Sequence, residues 1–279
     1  MKVWILFVVS FAMVACSGQK QELDKNAEIT KRVATTPNLL VQHTLQENDY
    51  QLHYVSNGNT HNPSILFIHG TPGDWGSFSR YFEDEQLTLD YHINSLDRPG
   101  WGSSSYPDGD FPKRLSVQSS LLGPILKDIW RNNGNQKILI IGHSLGGSLV
   151  PKIAVDYPEY IKGVLILAGD IGPELAEARW FNYALDLFPK QWIPEFWYNS
   201  NQEVLELRPE LAQLQEEFRQ LSIPIMVLQG TDDDLVRPQN AAFAESLFPN
   251  IKVVWLEGAS HIINLTHSDD VKTAIGSFH

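Results

Sequence analysis

Cysteine is nearly missing from this chain: Cys16 is the only one in 279 residues. An intrachain disulfide is therefore impossible, and a metal site built on several thiolates is excluded with it. Nine histidines are present, but no His-Glu-x-x-His or comparable cluster sets two imidazoles at ligand spacing, so neither a metal nor another cofactor is expected. Positive charge is scarce too. The 21 Lys and Arg face 33 Asp and Glu, a formal net charge of −12, which works against a nucleic-acid partner whose phosphates would be repelled. The apolar run Val3–Val14 has 12 residues, too few to span a bilayer as a helix, which takes about 20. What is present suits one globular domain with a full-sized core: 43% of residues are apolar and 19% charged.

The amino terminus reads as an address. Met1-Lys2, a short apolar core and then small residues have the layout of a secretory signal over residues 1–15. Met13-Val14-Ala15-Cys16-Ser17-Gly18 resembles a bacterial lipoprotein signal, in which cleavage precedes a cysteine that becomes lipidated. That resemblance implies a Cys16 anchor in the cell envelope, with Ser17 favouring the outer membrane. The alternative is a plain secretory signal, cleaved after Ala15 or Ser17, and a secreted or periplasmic protein. Two acyl chains hold a protein on a membrane where one does not. Residues 16–36, polar and weakly periodic, are expected to serve as anchor and tether, a first helix packed on the domain being the alternative, with the folded domain covering 37–279.

Strand and helix signals alternate along that domain. Leu39–Leu45 and Tyr50–Val55 suit a hairpin, and Ile65–Ile68, Tyr91–Leu96, Ile138–Ile141, Gly163–Leu167, Ile225–Leu228 and Lys252–Leu256 suit buried parallel strands. Helix-compatible stretches separate them at Trp75–Asp84, Ser116–Asn132, Leu145–Asp156, Pro238–Phe248 and from Ser268 onward. Such alternation predicts an α/β fold with helices on both faces of a mostly parallel sheet and ligands at the strands' carboxyl ends. One stretch, about 172–222, lacks a core strand. Within it Trp180, Phe181, Tyr183, Phe188, Trp192, Phe196, Trp197 and Tyr198 crowd into 19 residues. These are expected to form a helical insertion with its own small core, some of its aromatics lining an apolar substrate pocket.

Gly142-His143-Ser144-Leu145-Gly146 follows the Ile138–Ile141 run as strand, sharp turn and helix. Small residues two before and two after a serine let strand and helix approach while the hydroxyl stands clear, which describes a nucleophile elbow. His69-Gly70-Thr71-Pro72-Gly73 follows another strand. There the Thr71 amide, with that of Leu145, is placed to bind the negative oxygen of a tetrahedral intermediate. Asp97-Arg98-Pro99-Gly100-Trp101-Gly102 reads as a rigid structural loop. Gly230-Thr231-Asp232-Asp233-Asp234 offers three adjacent acids, and Gly258-Ala259-Ser260-His261 offers a base.

In this order the motifs resemble those of the α/β-hydrolase superfamily over roughly residues 37–279. The resemblance implies an eight-stranded, mostly parallel sheet with a small helical cap inserted after the sixth strand. It selects Asp233, three residues after Gly230, as the acid of a Ser144-Asp233-His261 triad, with Asp170 after the sixth strand as a minor alternative. It also implies a serine hydrolase acting on a small or medium carboxylic ester through an acyl-enzyme. Members that open epoxides or remove halides carry aspartate at the elbow, so Ser144 argues against both. A prolyl-iminopeptidase-like aminopeptidase, using Glu174, Glu177, Asp186 or Glu195 to hold an amine, is the main alternative. Carbon–carbon or lactone hydrolysis remains open, and a non-catalytic envelope binding protein is a different class of reading. The expected partners are a small ester or amide substrate and, through the anchor, a membrane. The oligomeric state is not legible.

Overall fold

A computed structural model describes residues 17–107 and 109–278. The signal segment 1–15 and the candidate lipidation site Cys16 lie outside the described residues. Eight strands form one sheet: β1 (Val41–Glu47), β2 (Tyr50–Ser56), β3 (Ser64–Ile68), β4 (His92–Asp97), β5 (Ile138–His143), β6 (Ile161–Leu167), β7 (Ile225–Gly230) and β8 (Ile251–Leu256). Their order is β1-β2-β4-β3-β5-β6-β7-β8. β2 runs antiparallel to β1 and β4, and all other pairings are parallel. Every residue of β3, β4, β5 and β7 is buried. β3, β5 and β7 are accordingly dominated by apolar runs, whereas β4 buries His92, Asn94, Ser95 and Asp97 by hydrogen-bonding them.

Helices cover both faces, as expected from the alternating pattern. On one face α3 (Leu115–Asn132), α4 (Leu145–Asp156) and α6 (Glu195–Arg219) pack Leu122, Leu149, Leu211 and Phe218 against Ile140, Ile166 and Val227. On the other lie α1 (Ser17–Thr35), a 3-10 segment Trp75–Phe82 and the helix Ser268–Gly276, which bring Val33, Phe78 and Ile275 onto Phe67, Ile141 and Leu165. Burying one such side chain contributes roughly 1.5–3 kcal/mol.

Residues 17–35 are helix α1 rather than the tether expected from their polarity. Only Ile29 and Val33 carry its apolar contact, one turn apart and both buried. The rest of the docking is polar. Asn26 Nδ2 donates to the Gly76 carbonyl at 2.9 Å, Thr30 and Ser79 share a 2.8 Å hydrogen bond, and Arg32 pairs with Glu83 at 2.6 Å. A two-residue stripe is too narrow for hydrophobic periodicity to flag.

Between β6 and β7 the chain inserts α5 (Trp180–Asp186), a 3-10 turn Lys190–Trp192 and α6. α6 is part of the core. Leu207, Leu211, Leu214 and Phe218 are buried, and the Glu210 carboxylate accepts from the Leu115 and Ser116 amides at 2.5 and 3.0 Å. Those amides open α3 and have no intrahelical acceptor, so Glu210 caps α3 from the insertion.

Candidate active site

The sheet's topology delivers the carboxyl ends of β3, β5, β7 and β8 to one edge, and the candidate residues follow them. Ser144 sits between β5 and α4 with φ 56° and ψ −124°. This left-handed conformation costs a non-glycine residue of order 1–3 kcal/mol. The surroundings hold it there: its amide donates to the Leu167 carbonyl at 2.9 Å and its carbonyl accepts from Gly147 at 2.8 Å. A Cβ on Gly142 would overlap the Gly146 carbonyl, and one on Gly146 would overlap that of Ile68. Glycine at both positions is thus a steric requirement of strand and helix meeting at this turn.

Asp233 and His261 come together from the loops after β7 and β8. His261 Nδ1 lies 2.9 Å from Asp233 Oδ2. An ionised carboxylate only accepts, so Nδ1 carries the proton and Nε2 is left as a base. Asp233 is buried, which raises its pKa. The hydrogen bond from His261 and those from the Val236 and Leu235 amides, both 2.9 Å to Oδ1, outweigh burial and hold it below its ordinary range. Next to the serine, His143 Nε2 donates to the His261 carbonyl at 2.9 Å, and the two rings stand 4.8 Å apart. Burial, and then the nearby His261, lower the His143 pKa to about 3, so it stays neutral. Elbow and histidine loop are therefore stitched together one residue from Ser144.

The loop after β3 closes the other side. A Cβ on Gly70 would stand 2.8 Å from Ser144 Cβ and 3.3 Å from its Oγ, so the loop backbone lies directly on the serine. Thr71 follows, partly buried, its Oγ1 without a hydrogen-bond partner among the described residues. Leu145 is buried as the first residue of α4, where backbone N–H groups are free to bind an anion. His69 is locked beneath this loop. Its Nδ1 donates to the Gly70 carbonyl at 2.7 Å and its Nε2 accepts from the Arg98 amide at 3.0 Å, which requires the neutral ring. Burial, reinforced by the Arg98 charge, keeps its pKa far below the ordinary value.

Sequence reasoning missed what holds that loop. Arg98 is fully buried; its Nη2 donates to the Gly70 carbonyl at 2.8 Å, and its Nη1 donates to Gln118 at 2.7 Å. The guanidinium also meets Glu203 of α6 through contacts of 2.5 and 3.2 Å. Glu203 in turn accepts from Gln118 Nε2 at 2.8 Å and Trp101 Nε1 at 3.2 Å. One buried ion pair therefore links the cap helix to the loop over the serine. Asp97 is buried as well and accepts from the Trp75 and Ser103 amides at 2.7 and 2.8 Å, a structural hub for its loop. Asp170 bonds Asn240 Nδ2 at 2.9 Å rather than His261, and burial raises its pKa to about 6. Among the described residues no group of three or more His, Cys, Asp or Glu could hold a metal ion.

Residues 65–274 match the model of the alpha/beta hydrolase family. Epoxide hydrolase 3 of Mus musculus is 26% identical over 185 residues, 62% of this chain and 46% of that protein. The chain spans between about a third and a half of the length of the first curated relatives it matches. Lipase 1 of Psychrobacter immobilis is 22% identical along 91% of this chain and 89% of its own. Among solved structures, the 2-hydroxy-6-oxo-6-phenylhexa-2,4-dienoate hydrolase of Rhodococcus sp. strain RHA1 superposes with a TM-score of 0.68 at 17% identity, over 86% of this chain and 98% of that one. That likeness concerns the fold alone.

Proposed function

The chain belongs to the alpha/beta hydrolase family, and from that premise we propose that it hydrolyses a small or medium carboxylic ester through Ser144. His261 Nε2 takes the hydroxyl proton while Ser144 Oγ bonds to the carbonyl carbon. The negative oxygen is held by the Leu145 and Thr71 amides. Asp233 fixes the imidazole tautomer and stabilises the imidazolium that forms. His261 then protonates the departing alcohol, and a water activated by the same ring releases the acid.

The observation carrying this reading is the 2.9 Å Asp233–His261 hydrogen bond joined, through His143, to a serine held at φ 56°. Several relatives are named epoxide hydrolases, but a serine at the elbow favours attack on a carbonyl. The aminopeptidase reading has less support, because the acids it would use are engaged elsewhere. Glu174 pairs with Arg208, Asp186 accepts from Gln202, Glu195 accepts from Tyr106, and Glu177 faces Arg208 and Arg237 at 4.0 Å.

A fluorophosphonate probe tests the assignment: labelling of the wild type that is lost in Ser144→Ala is expected, and labelling of neither would count against the serine-hydrolase reading and favour the non-catalytic binding protein. Activity on p-nitrophenyl esters of increasing chain length, set beside amino-acid arylamides, separates esterase from aminopeptidase. For the amino terminus we propose a lipidated Cys16 in the bacterial envelope, with the outer membrane favoured. Acyl-lipid labelling that survives Cys16→Ser would refute it.

A further inference from the structure

Helix α5 is inside out for a water-soluble protein. Its inward residue is polar: Asn182 is buried and joined to Asn201 of α6 by hydrogen bonds of 2.8 and 3.1 Å. Trp180, Tyr183 and Leu187, at i, i+3 and i+7, share the outward side and are 74%, 56% and 86% exposed. Trp192 (67%) and Phe196 (48%), in the turn and helix that follow, are exposed as well. The Arg179 guanidinium bonds the Asp234 carbonyl at 2.6 Å, which sets the start of α5 beside the loop of Asp233 and the half-exposed Leu235. The patch thus borders the edge of the sheet where the candidate active site sits.

The chain's amino-terminal segment departs from that same edge. The stretch from Trp75 through α2 (Glu85–Asp90) descends from the end of β3 to the start of β4, and α1 runs beside it in the same direction. Asn26 reaches Gly76, Thr30 reaches Ser79 and Arg32 reaches Glu83. Glu22, a turn before Asn26, holds the Arg80 side chain, which donates to the Leu265 carbonyl just past His261. Ser17 therefore lies toward the carboxyl edge of the sheet, and the apolar residues 3–14 precede it.

We propose that this edge docks on a lipid bilayer, with Trp180, Tyr183, Leu187, Trp192 and Phe196 entering the interfacial region beside the attachment of the amino terminus. Tryptophan and tyrosine favour that depth because each joins an apolar ring to a polar tip. No helix among the described residues is long and apolar enough to cross a membrane, so the contact lies in the interface plane. The stretch 180–198 carries only Asp186, Lys190 and Glu195 as charged residues, and the whole chain is at −12. Attraction to anionic headgroups is therefore not the driving force, and zwitterionic lipid is the expected surface. This rests on the hydrolase reading only in that it would bring an ester in the bilayer to Ser144.

The test uses the full chain with phosphatidylcholine vesicles containing brominated acyl chains, which quench tryptophan on contact. Wild type is expected to show quenching that falls severalfold in Trp180→Phe/Trp192→Phe, with Trp4, the exposed Trp255 and the more buried tryptophans common to both. In Trp180→Ser/Leu187→Ser/Trp192→Ser, vesicle partitioning is expected to drop about tenfold, with thermal stability and hydrolysis of a water-soluble ester unchanged. Ser144→Ala is expected to quench like the wild type, so failure of the hydrolase reading leaves this result intact. Equal quenching in wild type and Trp180→Phe/Trp192→Phe would overturn the proposal. So would binding that requires anionic lipid and vanishes in salt, or a solution dimer that the triple substitution dissolves without any vesicle binding.

Discussion

Substituting Glu203→Gln tests whether the cap helix holds the loop over the serine. Arg98 and Glu203 are almost wholly removed from water, at 0% and 1% exposure. Taking one charge from a buried pair leaves the other uncompensated and costs about 3–5 kcal/mol. The amide that replaces the carboxylate retains an oxygen for Gln118 Nε2 and Trp101 Nε1, so the lower end, about 3 kcal/mol, is the expectation. At roughly 2–4 °C per kcal/mol this amounts to a fall in Tm of about 6–12 °C. Activity supplies the sharper measurement. Replacing the pair by hydrophobes of similar size, Arg98→Met/Glu203→Met, is expected to restore most of the stability, since well-packed apolar residues replace buried ion pairs at little cost. It does not restore the bond from Arg98 Nη2 to the Gly70 carbonyl. The double variant is therefore expected to be stable yet slow, with kcat on a soluble ester down by about tenfold or more and KM little changed. A Tm for Glu203→Gln indistinguishable from wild type, or full kcat in the stable double variant, would refute the reasoning.

Three further outcomes follow from the same geometry. Ser144→Gly removes the side chain that makes φ 56° costly; after the entropic cost of glycine, a gain of about 1 kcal/mol is expected in denaturant unfolding, with complete loss of hydrolysis. Gly70→Ala sets a Cβ 2.8 Å from Ser144 Cβ; kcat is expected to fall about a hundredfold in initial-rate assays while Tm changes little, and a kcat close to that of wild type would contradict the close approach. Asp170 has a folded pKa of about 6 against an ordinary 3.8, so its contribution is fully favourable below about pH 4 and is lost as pH rises to about 6. Allowing for its partial exposure, Asp170→Asn is expected to stabilise the protein by about 1–2 kcal/mol at about pH 7–8 and to flatten stability against pH between about 4 and 6; an unchanged slope there would refute the assignment.

The strands were legible because a parallel sheet covered on both faces needs continuous apolar runs. Ile138–Ile141 in the sequence is β5, Ile138–His143, in the structure, the extra residues being the glycine and histidine of the turn itself. The candidate serine, acid and base were legible for a related reason: each follows such a run, and one sheet edge collects them all. The losses share a different cause. Nothing local marks Glu203, because its meaning depends on Arg98, 105 residues earlier in the chain. α1 docks through hydrogen bonds and two apolar residues, so its polarity resembled that of a tether. Trp75–Phe82 carried a helical pattern, yet it is 3-10, with the kink at Phe78.

The insertion is two structures with different freedoms. α6 cannot swing outward without uncovering Phe218 and Leu211, taking the Glu210 cap from α3 and stranding the Arg98 charge. That last step alone costs about 3–5 kcal/mol, a large share of the stability of an ordinary domain. α5 and the turn after it are bound more lightly, through Asn182–Asn201, Arg179–Asp234 and Asp186–Gln202. Passage to Ser144 is thus cheaper beside α5 than beneath α6. The apolar, exposed side of the insertion is also the one whose displacement leaves the loop over the serine in place. The proposed bilayer docking gains from this division: the proposed oxyanion donors stay fixed while the surface that meets the bilayer gives way.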